Sequence, residues 1–330
     1  MRCNVCGKEV EPGDRFCGHC RNPLSENGVP SLSVKTETPG PGVFARPVQT
    51  GTYNAQISRQ HPSCLIFLID HSGSMEEIIA GGSGRKKKDA VADAVNRLLN
   101  DIVLRCAKEK GVYHYFDIGI WTYSGKNDIF RVFSDDLVSI VEVEKQVKRR
   151  ETRRQRLSDG VGGTFEQEVE FAVWLEPEAR GETPMKAAFE AVLGPLQNWV
   201  SQHPESFPPT ILNVTDGQYT SNSPAPSVRE LMQTGTSDGN TLIFNCHISS
   251  QGQPEILFPG NISAVQLQGP QRELYELSSD LPAVMTPLAQ AKGYNIEPGS
   301  RGYIYNAKDV TLVDFLDIGT RATHERWTAA

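Results

Sequence analysis

Apolar positions along this chain change period several times, and each change marks an element. Cys64 to Ile69 is apolar without interruption and then stops at Asp70, Ser72 and Ser74. A short run without alternation suits a strand buried on both faces, as in a parallel sheet covered by helices. From about Lys88 the pattern turns helical, with Val91, Ala94, Val95, Leu98, Leu99, Ile102, Val103 and Cys106 on one face. Gly111 is the expected terminator. Tyr113 to Tyr123 reads as a second strand, and Asn127 to Phe133 as an antiparallel edge strand joined to it through Ser124, Gly125 and Lys126. Val141 to Leu157 has little apolar content, and its lysines and arginines set against Glu142, Glu144 and Glu151 predict a solvated helix. The alternative for that charge run is a docking patch for an acidic partner or nucleic acid. Phe171 to Leu175 reads as the next strand. A helix follows with Met185, Ala188, Phe189, Val192, Leu193 and Leu196 inward, Thr183 as its N-cap and Pro184 as its first residue. Thr210 to Asp216 and Thr241 to Ile248 are further buried strands, with a short helix near Ser227 to Thr234 between them. Beyond them, Val310 to Ile318 predicts a terminal helix.

Strands alternating with helices predict an α/β fold with a mostly parallel central sheet, one antiparallel edge strand and helices on its faces. At 330 residues and 38% hydrophobic content, the chain has material for one sizeable core and a small appendage. A formal charge of −7 argues against a dedicated nucleic-acid binder. The apolar runs fall far short of the roughly 20 residues needed to span a bilayer, and MRCNVCGK at the amino terminus has no apolar signal segment. The expected location is the cytoplasm.

Four of the seven cysteines crowd the first 20 residues. Cys3 and Cys6 form one C-x-x-C pair and Cys17 and Cys20 another, so each pair can grip one side of a tetrahedral ion. This arrangement resembles the short zinc ribbon found at the start of many bacterial and archaeal regulatory proteins, and Zn2+ is the expected cofactor there. Cys64, Cys106 and Cys246 sit in strand-like or helical apolar runs and are expected to be buried reduced thiols. From Pro23 to about Thr50 the chain is rich in Pro, Gly, Ser and Thr, which predicts a flexible linker. The expected organisation is a ribbon over 1–22, a linker over 23–50 and the main domain over 51–330.

Asp70, Ser72 and Ser74 place three oxygen side chains on the loop at a strand's carboxyl end, where open α/β sheets form ligand sites. Hard divalent cations favour such ligands. With Thr183 and Asp216 on later loops, the D-x-S-x-S motif resembles the metal-ion-dependent adhesion site of the von Willebrand factor A domain family. The resemblance covers roughly residues 60 to 320 and implies that family's Rossmann-like fold. It further implies Mg2+, or Mn2+ or Ca2+, held by Asp70, Ser72, Ser74, Thr183 and Asp216. Thr164, after Gly162 and Gly163, competes with Thr183 for the threonine position. The late Ser278-Ser279-x-Leu281-Pro282 and the closing motifs look most like an intracellular bacterial branch, the tellurium-resistance-associated TerY-like proteins. His71 is expected to fill the loop; Glu76 is expected either to bond a metal-bound water or to begin a solvated helix.

The resemblance implies a cytoplasmic scaffold that receives a Glu or Asp of a protein partner on the bound metal, in phosphorylation-linked signalling or stress response. One alternative is a nucleic-acid-associated regulator using the ribbon and the basic helix. Another is a metal-dependent phosphohydrolase, but no activated nucleophile or general base is evident, so the expectation is a protein that is not an enzyme. No membrane partner is expected.

Overall fold

A computed structural model describes residue 9 and residues 49–81, 84–158, 164–220, 222–261 and 267–321. The chain divides into two units, Met1–Ala45 and Arg46–Ala330. Cys3, Cys6, Cys17 and Cys20, with the expected ribbon and most of the linker, lie outside the described residues.

The second unit is an α/β fold around one mixed eight-stranded sheet. The apolar run forms β1 (Ser63–Asp70), with every residue buried. Helix α1 (Lys87–Cys106) leads to β2 (Phe116–Ser124), which lies parallel to β1. Strands β3 (Asp128–Arg131) and β4 (Val138–Ser139) both pair antiparallel to β2, and α2 (Ile140–Lys145) follows. Next come β5 (Arg149–Ser158) and β6 (Thr164–Val173), which among the described residues pair only with each other, then α3 (Met185–Gln202). The chain returns through β7 (Thr210–Thr215), parallel to β1 on its other side, then α4 (Ala225–Gln233) and β8 (Leu242–Ile248), parallel to β7. It ends with β9 (Ile256–Leu257), α5 (Gly269–Glu276), α6 (Thr286–Ala291), β10 (Tyr303–Ala307) and α7 (Asp309–Thr320). The sheet order is β9-β10-β8-β7-β1-β2-β3, with β4 also on β2.

The doubly covered β1 follows from its alternation between two cores. Leu65, Phe67 and Ile69 join Val95 and Leu99 of α1 and Leu312 and Leu316 of α7. Cys64, Ile66 and Leu68 join Phe189 and Leu196 of α3 and Leu231 of α4. The two directions in which the chain leaves β1 and β7 make their junction the topological switch point, where such sheets hold ligands beyond the strands' carboxyl ends. No helix among the described residues is long and apolar enough to cross a membrane.

Two expectations need correction. Only Ile140–Lys145 of the predicted basic helix is helical; from Arg149 the chain is a strand paired residue for residue with β6. Cross-strand attraction contributes to this: Arg154 faces Glu168 directly at 3.7 Å, and Arg150, opposite Ala172, reaches the diagonal Glu170 at 3.7 Å. Arg153 turns inward, pairing with Asp93 of α1 and stacking over the Phe171 ring. The basic helix invoked for nucleic acid is therefore absent, and these arginines meet carboxylates. The second correction concerns α3, whose cap is Pro184 rather than Thr183.

One ion pair in the frame makes stability pH-dependent. Asp117 accepts from His114 Nε2 at 2.6 Å and from Trp199 Nε1 at 2.9 Å, so the indole fixes the carboxylate that faces the imidazole. Its hydrogen bond to Asp117 raises the His114 pKa. A raised folded-state pKa gives a stabilisation fully present below the ordinary histidine value of about 6.5 and lost as pH rises through the folded value. Urea unfolding across this window should show wild-type stability falling as pH rises above that value. His114→Asn should lack that fall; parallel profiles would refute the coupling.

Candidate functional site at the carboxyl edge of the sheet

Three loops meet beyond the ends of β1 and β7. Asp70 closes β1 and is buried, its Oδ1 accepting the Ser72 N–H at 2.8 Å and its Oδ2 the Thr215 hydroxyl at 2.7 Å. Burial, reinforced by the nearby Asp216 charge, pushes its pKa up to about 6. Ser72 Oγ and Ser74 Oγ lie 3.2 Å apart. The first loop is tied to the second by Gly73 N–H to Gly181 O at 2.9 Å and Arg180 N–H to His71 O at 2.7 Å. Gly181 must lack a side chain, because at φ +64° a Cβ would stand 2.7 Å from Gly125 Cα. The second loop is tied to the third: Thr183 N–H donates to Thr220 Oγ1 at 3.1 Å, and Thr220 N–H to Thr183 O at 3.2 Å. Gly217, at φ +83°, turns the third loop after Asp216 and donates its N–H to Thr215 Oγ1 at 3.0 Å.

The expected residues Asp70, Ser72, Ser74, Thr183 and Asp216 are thus all carried to one sheet edge by loops laced through backbone bonds. Thr164 begins β6, paired with Ser158, and its side chain lies outside what is described. Burial and the Arg180 charge push the His71 pKa down to about 4, in keeping with a neutral filler of the loop. Glu76 is exposed and pairs with Lys86 and Lys88.

The expected cofactors are corrected here. Among the described residues, no group of three or more His, Cys, Asp or Glu side chains is placed to hold a metal ion. This overturns the expectation of Mg2+, Mn2+ or Ca2+ at this edge and leaves the Zn2+ expectation without support, its four cysteines lying outside the described residues. The partners of the two carboxylates give the physical reason. Both oxygens of Asp70 are engaged by protein donors. Asp216 faces a cation that belongs to the chain: the Lys87 ammonium lies 3.5 Å from its Oδ2.

Lys87 was not expected here. It is the first residue of α1, and its side chain is only 3% exposed. Its ammonium also donates to Ser74 O at 3.3 Å and to Glu77 Oε2 at 2.9 Å. The Ser250 hydroxyl bonds the same Glu77 oxygen at 2.7 Å, and together these donors hold the Glu77 pKa below the usual carboxylate range. A polar cleft of about 170 Å³ opens beside them, lined by Ser74, Glu77, Lys87, Asp216, His247 and Ser250 among others. Burial pushes the His247 pKa down to about 4, and its ring stacks on Tyr305 with centroids 4.6 Å apart. Such a volume suits one polar side chain better than a drug-sized molecule, whose pockets run from about 300 Å³. Cys64, Cys106 and Cys246 are buried, free, and raised in pKa by that burial.

No family model matches the chain, and no curated protein matches it. Solved structures do show likeness. Proximal thread matrix protein 1 from the mussel byssus matches at 12% identity and a TM-score of 0.42, over 80% of this chain and 48% of that one. The pilus adhesin SpaC from Lactobacillus rhamnosus GG matches at 12% identity and 0.41, over 81% of this chain and 32% of that one. An aerotolerance-related membrane protein from Bacteroides fragilis matches at 10% and 0.33, over 56% and 67%. At these scores the likenesses carry no argument about fold or function. The chain spans about half and about a third of the first two proteins.

Proposed function

We propose that this chain is a protein-binding scaffold whose carboxyl-edge cleft receives a side chain of a protein partner. The observation that carries the reading is a polar cleft beyond the carboxyl ends of β7, β8 and β10, walled by Ser74 and Asp216 from two of the loops laced around buried Asp70; Asp70, Ser72 and Thr183 do not line it. Strand ends and cross-tied loops fix the backbone of the Ser74 and Asp216 walls, which lowers the ordering entropy that opposes association. The family resemblance adds the finer assignment: residues 51–330 as a von Willebrand factor A-type domain, working in the cytoplasm in phosphorylation-linked signalling or stress response. The partner residue it implies is a Glu or Asp.

Filling the cleft tests this. Ser74 is half-buried on the cleft wall, and Ser74→Trp would occupy the space while leaving the strands intact. Capture from native lysate should yield a protein held by wild type and lost by Ser74→Trp at an unchanged thermal midpoint. An identical captured set for both would sink the proposal.

A further inference from the structure

The buried lysine explains how a carboxylate could be received without a metal. We infer that Lys87 is the cation that binds the partner's carboxylate, and that Glu77 occupies that carboxylate's place until the partner displaces it. This rests on the proposed protein-binding reading of the same cleft and names both the group that recognises the partner and its intramolecular competitor.

The three donors of the Lys87 ammonium are all engaged, but their acceptors differ in how firmly they are placed. Ser74 O is backbone. The Asp216 side chain is 7% exposed and stands at the end of a buried strand. The Glu77 side chain is 54% exposed, just beyond the short turn Gly73–Glu76. Of the two carboxylates on this ammonium, only Glu77 can swing into water without disturbing the core. Its departure would free two donors at once, the ammonium and the Ser250 hydroxyl, both bonded to its Oε2. An incoming Glu or Asp side chain has the charge and shape to take both.

Charge conservation favours this exchange. Burying an extra charge in such a place is costly, and so is stripping a buried charge of its partner. Replacing Glu77 by another carboxylate does neither: Lys87 and Asp216 keep their pairing, one carboxylate leaves and one enters. A lysine or arginine side chain would have to approach an ammonium already in the cleft wall, and a neutral amide would not restore the charge removed with Glu77.

The probes are the blocked tripeptides acetyl-Gly-Glu-Gly-amide, acetyl-Gly-Gln-Gly-amide and acetyl-Gly-Lys-Gly-amide, titrated into the full chain while the amide signals of Ser249, Ser250 and Gln251 are followed by NMR. The Glu peptide should move these signals and the other two should not. Glu77→Ala should bind the Glu peptide about two- to fivefold more tightly, the range expected when an ion pair whose carboxylate is largely in water no longer competes. The double variant Lys87→Met/Asp216→Asn, which removes both buried charges together, should fold and show no response. Equal response to the Gln or Lys peptide, unchanged affinity in Glu77→Ala, or full response in the double variant would each overturn the inference. If Ser74→Trp abolishes partner capture while Glu77→Ala leaves it unaltered, the cleft binds a partner but the Glu77 exchange is refuted. If Ser74→Trp captures normally, the proposed function itself falls.

Discussion

Asn96→Ala should lower the unfolding free energy by about 3–5 kcal/mol, although the residue touches no part of the site. Asn96 sits on α1 and is 2% exposed. Its Oδ1 accepts the N–H of Trp174 at 2.9 Å and of Leu175 at 3.0 Å, and its Nδ2 donates to Leu175 O at 2.8 Å. These atoms lie just past β6, where the chain has left the hairpin and has no strand to pair with. One side chain therefore stands in for a missing strand. Truncation strands three backbone groups, each costing about 1–3 kcal/mol when buried without a partner, with water recovering part of the sum. Asn100 does the same for Ala172 one turn later, bonding its O at 2.9 Å and its N at 3.3 Å, so a second truncation would not add independently. Denaturant unfolding measures the loss, and hydrogen exchange should show the Trp174 and Leu175 amides opening first. A loss under about 1 kcal/mol would mean the segment is held by Trp174 packing instead.

Asn96 also shows where the sequence stops being readable. The periodicity of α1 identifies its buried face correctly, but a polar residue on that face looks the same whether it bridges backbone or merely interrupts the stripe. The same holds for Asn213 and Asn245, set in apolar strands. They form a buried polar chain in which Tyr123 OH donates to Asn213, Asn213 to Asn245, and Asn245 to Ser278 Oγ. The β1 run and its D-x-S-x-S ending are legible because both signals are local. The hairpin is not, because the glutamates that make 149–158 a strand lie in the following segment. Read alone, those arginines carry charge but no period. Lys87 is hidden for a related reason. It belongs to the basic run Arg85-Lys86-Lys87-Lys88, which reads as an exposed turn, and only the folded chain reveals that one of these four cations turns inward.

Lys87→Met should cost about 3–5 kcal/mol, the usual penalty for removing one member of a buried ion pair. Methionine replaces most of the aliphatic stem, so the loss reports charge and hydrogen bonding rather than volume. Asp216 would keep a carboxylate whose side chain is 7% exposed with no cation at Oδ2, and its Oδ1 already lacks a protein partner. The Lys87–Glu77 pair adds little, since the Glu77 side chain is 54% exposed and can turn to water. The double variant Lys87→Met/Asp216→Asn separates attraction from desolvation. With both charges gone, the amide introduced in place of the Asp216 carboxylate needs only hydrogen bonds, and stability should return to within about 1–2 kcal/mol of wild type. The coupling energy from the four proteins of this cycle is therefore expected to be large and favourable to the pair. If Lys87→Met is nearly neutral and Asp216→Asn alone accounts for the change in the double variant, the ammonium is not the counter-charge of this carboxylate. If the coupling is large, the buried Asp216 charge is balanced by a cation of the chain itself, and the cleft needs only the exchange of one exposed carboxylate to change partners.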